Sequence, residues 1–418
     1  MPVLARSVYQ VGTSERQVII RLRTKASFDQ SMPDPKTGRN VVMLGFVSLL
    51  NDISSEIIQP ILPLLITSLG GGSIAVGLIG GIGEGLPSIL KVFSGYLSDR
   101  LGRRKPLVVG GYGLSALAKL LLAFSATWQQ VFVLKTMERC GKGIRSAPRD
   151  AMISESADLA NRGRGFGLHR AMDSTGAVIG SILAYLLWQG GLDMGSILLV
   201  AGVLAALALL PFHRVHETFS SPGCQLNLDI SSLSPELRRF VATASLFALG
   251  NISYMFFILR AQSISTGRDS VALTLLLYVL FNLVYAILAM PVGIWSDRVG
   301  RKRVLALGYS LFALTSLGFA YVTSLPGLIV LFALYGLVFA LVDASERAFV
   351  SDLSHFGMRS TCLGIYYGAV GVAAMASGLF AGALWAWAGA EAAFVFGSLL
   401  AVAAALSLMT VRETRPMP

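Results

Sequence analysis

Two acids one helical turn apart, Asp52 and Glu56, share a face of an apolar stretch, with Asn51, Ser55 and Gln59 beside them. Glu84 and Lys91 interrupt the next apolar run. Further on, Lys135, Glu138, Lys142, Arg145 and Arg149 recur at spacings of 3, 4, 3 and 4 with Arg139 alongside, so one helical stripe carries them. His169, Arg170 and Asp173 follow, and Asp343, Glu346 and Arg347 close the set. Ionisable groups inside apolar helices are costly and mark a functional path. Burial raises a carboxylate's pKa and a nearby cation lowers it, so an acid moved between the two settings takes up and releases a proton. The chemistry to expect is proton transfer coupled to motion. Asp52, Glu56 and Glu84 are the candidate carriers, with Glu138, Arg139, Lys142, Arg145, Arg149 and Asp173 along the path. A static ion pair of Glu56 with Arg139 or Lys142 is the plainer reading of the same pattern. His169, near a helix end, reads as structural.

These residues need helices to hold them. The chain has 418 residues, 54% hydrophobic and only 14% charged, whereas a soluble domain carries about a quarter charged residues. The apolar residues come in long runs, such as 107–127 and 197–212, and a bilayer-crossing helix needs about 20 of them. The short alternating segments of a membrane β-barrel, about 10 residues each, are absent. The fold class is therefore all-α and integral to a membrane, with twelve transmembrane helices at 41–69, 74–97, 107–126, 128–153, 166–188, 193–212, 240–264, 271–295, 304–323, 327–352, 361–385 and 391–410. Pro60 and Pro63 are expected to kink the outer half of the first. With the chain starting inside, the inner segments hold 23 of the 34 Lys and Arg and the outer turns hold Arg268 alone, as the positive-inside rule requires. The net charge of +11 is then a matter of topology in the lipid bilayer rather than of nucleic acid. Both termini are expected in the cytoplasm, in a bacterial or archaeal inner membrane.

The domains expected are a cytoplasmic tail over 1–40, a six-helix bundle over 41–212, a cytoplasmic linker over 213–239, a second bundle over 240–410 and a short tail over 411–418. The native start is left open between Met1, Met32 and Met43. Cys140, Cys224 and Cys362 lack metal-ligand spacing, and "GKGIRS" at 141–146 lacks the spacing of a phosphate loop. No metal, cofactor or enzyme activity is indicated.

The stretch "GYLSDRLGRRKP" at 95–106 returns as "VGIWSDRVGRKR" at 292–303. Asp99 matches Asp297 and Arg149 matches Arg347, each pair 198 residues apart. Glu155 with Arg162 has a weaker echo in Asp352 with Arg359. Such repeats point to two pseudo-symmetric bundles with a binding site between them, near the membrane midplane. The doubled knot resembles the G-x-L-a-D-r-x-G-r-k signature between spans two and three of the major facilitator superfamily, and the resemblance covers about Val41 to Val411. It implies a monomeric transporter that moves a small molecule by alternating access. It also implies a cytoplasmic gate of Gly95, Asp99, Arg100, Gly102, Arg103, Arg104, Asp297 and Arg298, completed by the Glu155–Arg162 and Asp352–Arg359 pairs. Asp99 is placed to hold the start of span eleven near Thr361, and Asp297 the start of span five near Gly165. Each contact would contribute about 0.3–2 kcal/mol, weak enough to break on opening.

Of ten Lys and Arg inside the spans, eight lie in the first half. That half is expected to handle ion coupling, and the drier second half to contact substrate. Asn51 and, in the second half, Asn251, Tyr254, Asn282 and Tyr335 are the candidate cavity residues, since amides buried in a span need partners. The antiporter mark Arg-x-x-x-Gly is present as Arg139 and Gly143. The antiporter glycine run in span five reads "GAVIGSILAY", keeping Gly176 and Gly180 but with Ser181, Ala184 and Tyr185 in the remaining places. The first expectation is proton-coupled efflux. The alternative is an uptake symporter or facilitator for a nutrient or organic anion, favoured by the cations of spans four and five. A receptor that does not transport is a third class, and no added signalling domain is seen for it.

Overall fold

The computed structural model describes residues 35–156, 162–217, 233–264, 268–354 and 359–412. The first half comprises α1 (Pro35–Ser68), α2 (Ser73–Leu101), α3 (Lys105–Leu122), α4 (Trp128–Glu155), α5 (Arg162–Gln189) and α6 (Met194–Leu207), the last running on into a short 3₁₀ turn, Leu210–Arg214. The second half comprises α7 (Pro235–Gly250), α8 (Tyr254–Ile264), α9 (Arg268–Val299), α10 (Arg301–Tyr321), α11 (Leu325–Leu353), α12 (Arg359–Ala388) and α13 (Ala390–Met409). Local signals set the helix starts. Thr127, Asp193, Ser234 and Ser324 each accept a hydrogen bond from the first turn of the helix they precede. Each knot turns on a glycine in the left-handed region, Gly102 at φ 63° and Gly300 at φ 105°.

Among the described residues eleven helical segments are long and apolar enough to cross a membrane, α7 and α8 counting as one. The twelfth crossing is α4, too charged to qualify by hydropathy. It is helical throughout and packs against α2 and α3, which bury Lys135, Glu138, Arg139 and Arg145. Two details differ from the sequence reading. α1 runs unbroken past Pro60 and Pro63, as happens where neighbouring helices support a membrane helix. The expected single span 240–264 is instead broken at Asn251–Ser253, where Asn251 takes φ −77° and ψ 80°. Gly250, the last residue before the break, packs so close to α13 that a Cβ there would sit 2.7 Å from the Cβ of Leu400.

The two six-helix bundles meet along two seams, α2 against α12 and α5 against α9. The first seam is built on glycine. A Cβ at Gly81 would lie 2.7 Å from the carbonyl oxygen of Met375, and one at Gly382 would lie 2.7 Å from that of Ser73. Gly77, Gly85, Gly371 and Gly378 meet backbone just as closely. Small residues four apart allow this approach in membranes, where no hydrophobic force drives helices together. Ser73 donates across the seam to the carbonyl of Gly382 at 3.1 Å.

Candidate functional site

A cavity of about 630 Å³ lies between the two bundles. α4 enters the membrane opposite the knots and ends on the face that carries them, and the cavity follows it from Arg139 to Asp150. Its first-half wall carries Asp52 and Glu56 from α1, Glu84 and Lys91 from α2, Lys142, Arg145 and Arg149 from α4, and Arg170 and Asp173 from α5. The 3.6-residue period puts Lys142, Arg145 and Arg149 of the stripe on this wall with Arg139 beside them, while Lys135 and Glu138 are buried behind it. Arg145 donates to Ser115 at 2.6 Å and lies over the ring of Tyr112. Arg149 bonds Ser48 at 3.0 Å and Asp150 at 2.9 Å. Lys91 adds a longer pair to Asp150 at 3.7 Å. His169 holds Asp173 at 3.2 Å and meets Ser48 at 2.9 Å, which ties α5 to α1.

Two expected members stand off the wall. Glu138 is buried behind it and holds Lys135 at 3.0 Å and Arg139 at 3.3 Å. Asn51 faces the bundle interior instead of the cavity. Its main-chain and side-chain oxygens accept from Lys119 at 3.2 Å each, and Ser55 accepts from the same ammonium at 2.8 Å. A helix that puts Asp52 and Glu56 on the cavity must turn Asn51 about 100° away from Asp52.

The second-half wall is aromatic and amidic. Asn251 and Tyr254 arrive from the α7–α8 break, Tyr278, Phe281, Asn282 and Tyr285 from α9, and Tyr335 and Phe339 from α11. Two polar bridges cross from one half to the other. Glu56 accepts from the Tyr278 hydroxyl at 2.7 Å and from Asn282 at 3.4 Å, and from Gln59 on its own helix at 2.6 Å. The Glu56 pair with Arg139 or Lys142 is not formed. Nearer the knots, Arg170 bonds Asp343 at 2.9 Å and also Tyr285, while Arg347 holds the same carboxylate.

The knots form matched clusters, each within its own half. Arg104, buried at 6% exposure, bonds Asp99 at 3.2 Å and Glu155 at 2.6 Å, joining the ends of α2 and α4. Glu217 accepts from the main-chain N–H groups of Arg104 and Lys105 at 2.9 Å each and so caps α3. In the second half Arg301 bonds Asp297 at 3.3 Å and Asp352 at 3.0 Å. Among the described residues Asp99 and Asp297 each pair with the guanidinium of an arginine of their own knot, and the starts of spans five and eleven that they were expected to hold include side chains outside the described residues. Arg100, Arg103 and Arg298 are exposed. Gly95 packs on α4, with the Cβ of Ala147 3.3 Å from where its own would stand. The side chains of Arg162 and Arg359 lie outside the described residues.

The sequence profile of the Major Facilitator Superfamily matches residues 44–261 and 240–418. The chain belongs to the Major Facilitator Superfamily. It is a multi-pass membrane transporter, and members of that superfamily are not enzymes. It is 44% identical to an uncharacterized MFS-type transporter of Methanocaldococcus jannaschii over 90% of this chain and 96% of that one. It is 23% identical to the multidrug resistance protein MdtH of Aeromonas salmonicida over 83% of this chain and 88% of that one. The crystal structure of the nucleoside transporter NupG superposes with a TM-score of 0.73 at 14% identity, covering 90% and 99% of the two chains.

This superfamily member also holds features that spacing alone did not single out. Lys119 is 1% exposed, and three neutral oxygens satisfy its three N–H donors. In sequence it is only a lone lysine in an apolar run. Glu346 is 8% exposed, with the Tyr309 hydroxyl donating at 2.6 Å and that of Tyr366 at 2.5 Å. Its acid was visible in the sequence, but its tyrosine partners come from α10 and α12, which no local pattern joins.

Proposed function

We propose that the chain is a secondary active transporter that exports a small molecule in exchange for protons by rocking its two bundles around the cavity. The observation that carries this is the Glu56 bridge. Its carboxylate sits on the first half and accepts hydrogen bonds from Tyr278 and Asn282 on the second. An ionised carboxylate can only accept, and protonation turns one of its oxygens into a donor while the other still accepts. The charge state of Glu56 therefore bears directly on how firmly the bundles hold together at that level. Asp52 and Glu84 line the same wall and extend the path.

In this reading the knot face is cytoplasmic and both termini lie inside. Asp99 and Asp297 each pair with an arginine of their own knot on that face. The relatives include a multidrug resistance protein, in keeping with export. The cations along α4 favour a second reading, uptake of an anionic nutrient with protons, and a nucleoside transporter shares the fold.

Purified protein in liposomes with an internal pH dye tests both. The panel is lipophilic cations, sugars, amino acids and organic anions, each applied to the wild type and to Asp52→Asn and Glu56→Gln. Substrate-driven proton movement opposite to substrate, lost in Glu56→Gln, is the expected result. Movement in the same direction establishes symport instead. Substrate movement without protons removes the coupling assignment.

A further inference from the structure

The second-half wall of the cavity carries three hydrogen-bonding atoms with no partner: the hydroxyls of Tyr254 and Tyr335 and Oδ1 of Asn251. Buried polar atoms are almost always satisfied, so three on one wall call for a molecule that satisfies them. Tyr335 is 2% exposed. Its ring is fixed between Phe257, stacked at 4.2 Å, and Phe281 at 5.0 Å. The hydroxyl cannot swing away to find a partner of its own. Tyr254, Tyr278, Phe281 and Tyr335 follow one another at centroid distances of 6.2, 5.7 and 5.0 Å, making a continuous apolar surface.

The opposite wall supplies charge. Lys142 is exposed to the cavity, and no acid among the described residues lies within ion-pair distance of it. The cavity's acids are in the reverse position. Glu56, Asp150, Asp173, Asp343 and Glu346 each already accept from a hydroxyl, amide, imidazole or guanidinium, and Asp52, with no ion pair among the described residues, accepts from the neighbouring Asn51 amide at 3.2 Å. Glu84 is exposed without an ion pair and stands against a second negative charge. The unmet groups able to donate are one ammonium and two phenols, beside two acceptors, the Glu84 carboxylate and Asn251 Oδ1.

We propose that the cavity binds a flat, ring-containing organic monoanion, with its carboxylate on Lys142 and its ring along Tyr254, Phe281 and Tyr335. An oxygen on the ring accepts from the tyrosine hydroxyls. The cavity, about 630 Å³, is of the size that holds small organic ligands. This rests on the transporter reading and names its substrate class.

Calorimetric titration of the full-length protein in nanodiscs tests it, with four probes: 4-methoxybenzoate, its methyl ester, 4-methoxybenzylamine and terephthalate. The monocarboxylate is expected to bind, with the neutral ester, the cation and the dianion each weaker by about tenfold or more. Lys142→Met is expected to weaken the monocarboxylate by about tenfold and leave the ester unchanged, and Lys142→Arg to restore it. Tyr335→Phe is expected to weaken it by about threefold to tenfold. Thermal melting checks that each variant is folded. Equal or tighter binding of the amine, indifference to Lys142→Met, or no binding of any probe at millimolar concentration overturns the proposal. Liposome flux of a different substrate class alongside that failure leaves the transporter reading standing, whereas no flux of any substrate removes that reading.

Discussion

The Glu56–Tyr278 bridge makes a prediction that can be worked from its geometry. The phenol donates to the carboxylate at 2.7 Å across the two bundles, while the Asn282 contact at 3.4 Å is at the limit of a hydrogen bond. A hydrogen bond to an ionised group contributes about 1.5–3 kcal/mol and one between neutral groups about 0.5–1.5 kcal/mol. Glu56→Gln keeps the size and removes the charge, so the cross-bundle contact should weaken by about 1–1.5 kcal/mol. Tyr278→Phe removes the same contact from the other side. The two substitutions together should fall short of additivity by about 1–2 kcal/mol, as partners in direct contact do. Equilibrium unfolding in mixed micelles of the four members of this cycle measures the coupling. A control pair that shares no partner, Ser94→Ala, whose hydroxyl bonds the Gly143 carbonyl, with Tyr278→Phe, should be additive within about 0.5 kcal/mol. A Glu56–Tyr278 coupling no larger than that control would refute the bridge as an energetic link.

Three further outcomes follow from other parts of the molecule. Arg104→Lys replaces a fork that holds Asp99 and Glu155 at once with a single ammonium. It should lower stability by about 1–2 kcal/mol, measured by the same unfolding, with Arg104→Ala lower still. Gly81→Leu forces a side chain against the Met375 carbonyl and the α12 backbone. It should cost about 1–3 kcal/mol through overpacking, whereas the same change at Gly110, which faces open space, should be nearly silent. Asp193 caps α6 outside the membrane, and its hydrogen bonds from the Ser196 hydroxyl and from main-chain N–H groups hold its carboxyl below the usual carboxylate range. A group with a depressed folded pKa stabilises the fold above its unfolded pKa, and that contribution is lost as pH falls through the folded value. Asp193→Asn should therefore lower the melting temperature at neutral pH, and the gap should close in acid.

Much of this molecule was legible from local rules. The doubled knot, the apolar runs and the basic loops gave twelve crossings, and the 3-4-3-4 spacing on α4 gave Lys142, Arg145 and Arg149 of one cavity wall. Asp52, Glu56, Glu84, Asn251, Tyr254, Asn282 and Tyr335 all line that cavity. The misses share a cause, in that each depends on a neighbour distant in sequence. Asn51 was assigned to the cavity because a buried amide needs a partner, but its partner is Lys119 on α3. The break after α7 lies where Gly250 packs on α13, a contact no hydropathy window reports. The seam glycines at 77, 81 and 85 repeat every four residues and were open to reading, but their partners on α12 were not.

The central claim is that the charge of Glu56 sets which arrangement of the bundles is favoured. Its most direct test is a spin-label distance across the knot face, with labels at Leu97 and Arg298, both exposed, in a background with Cys140, Cys224 and Cys362 replaced by serine. The distance distribution should shift between alkaline and acidic pH in that background and stay fixed once Glu56→Gln is added. An unchanged pH shift in the Glu56→Gln protein would contradict the account.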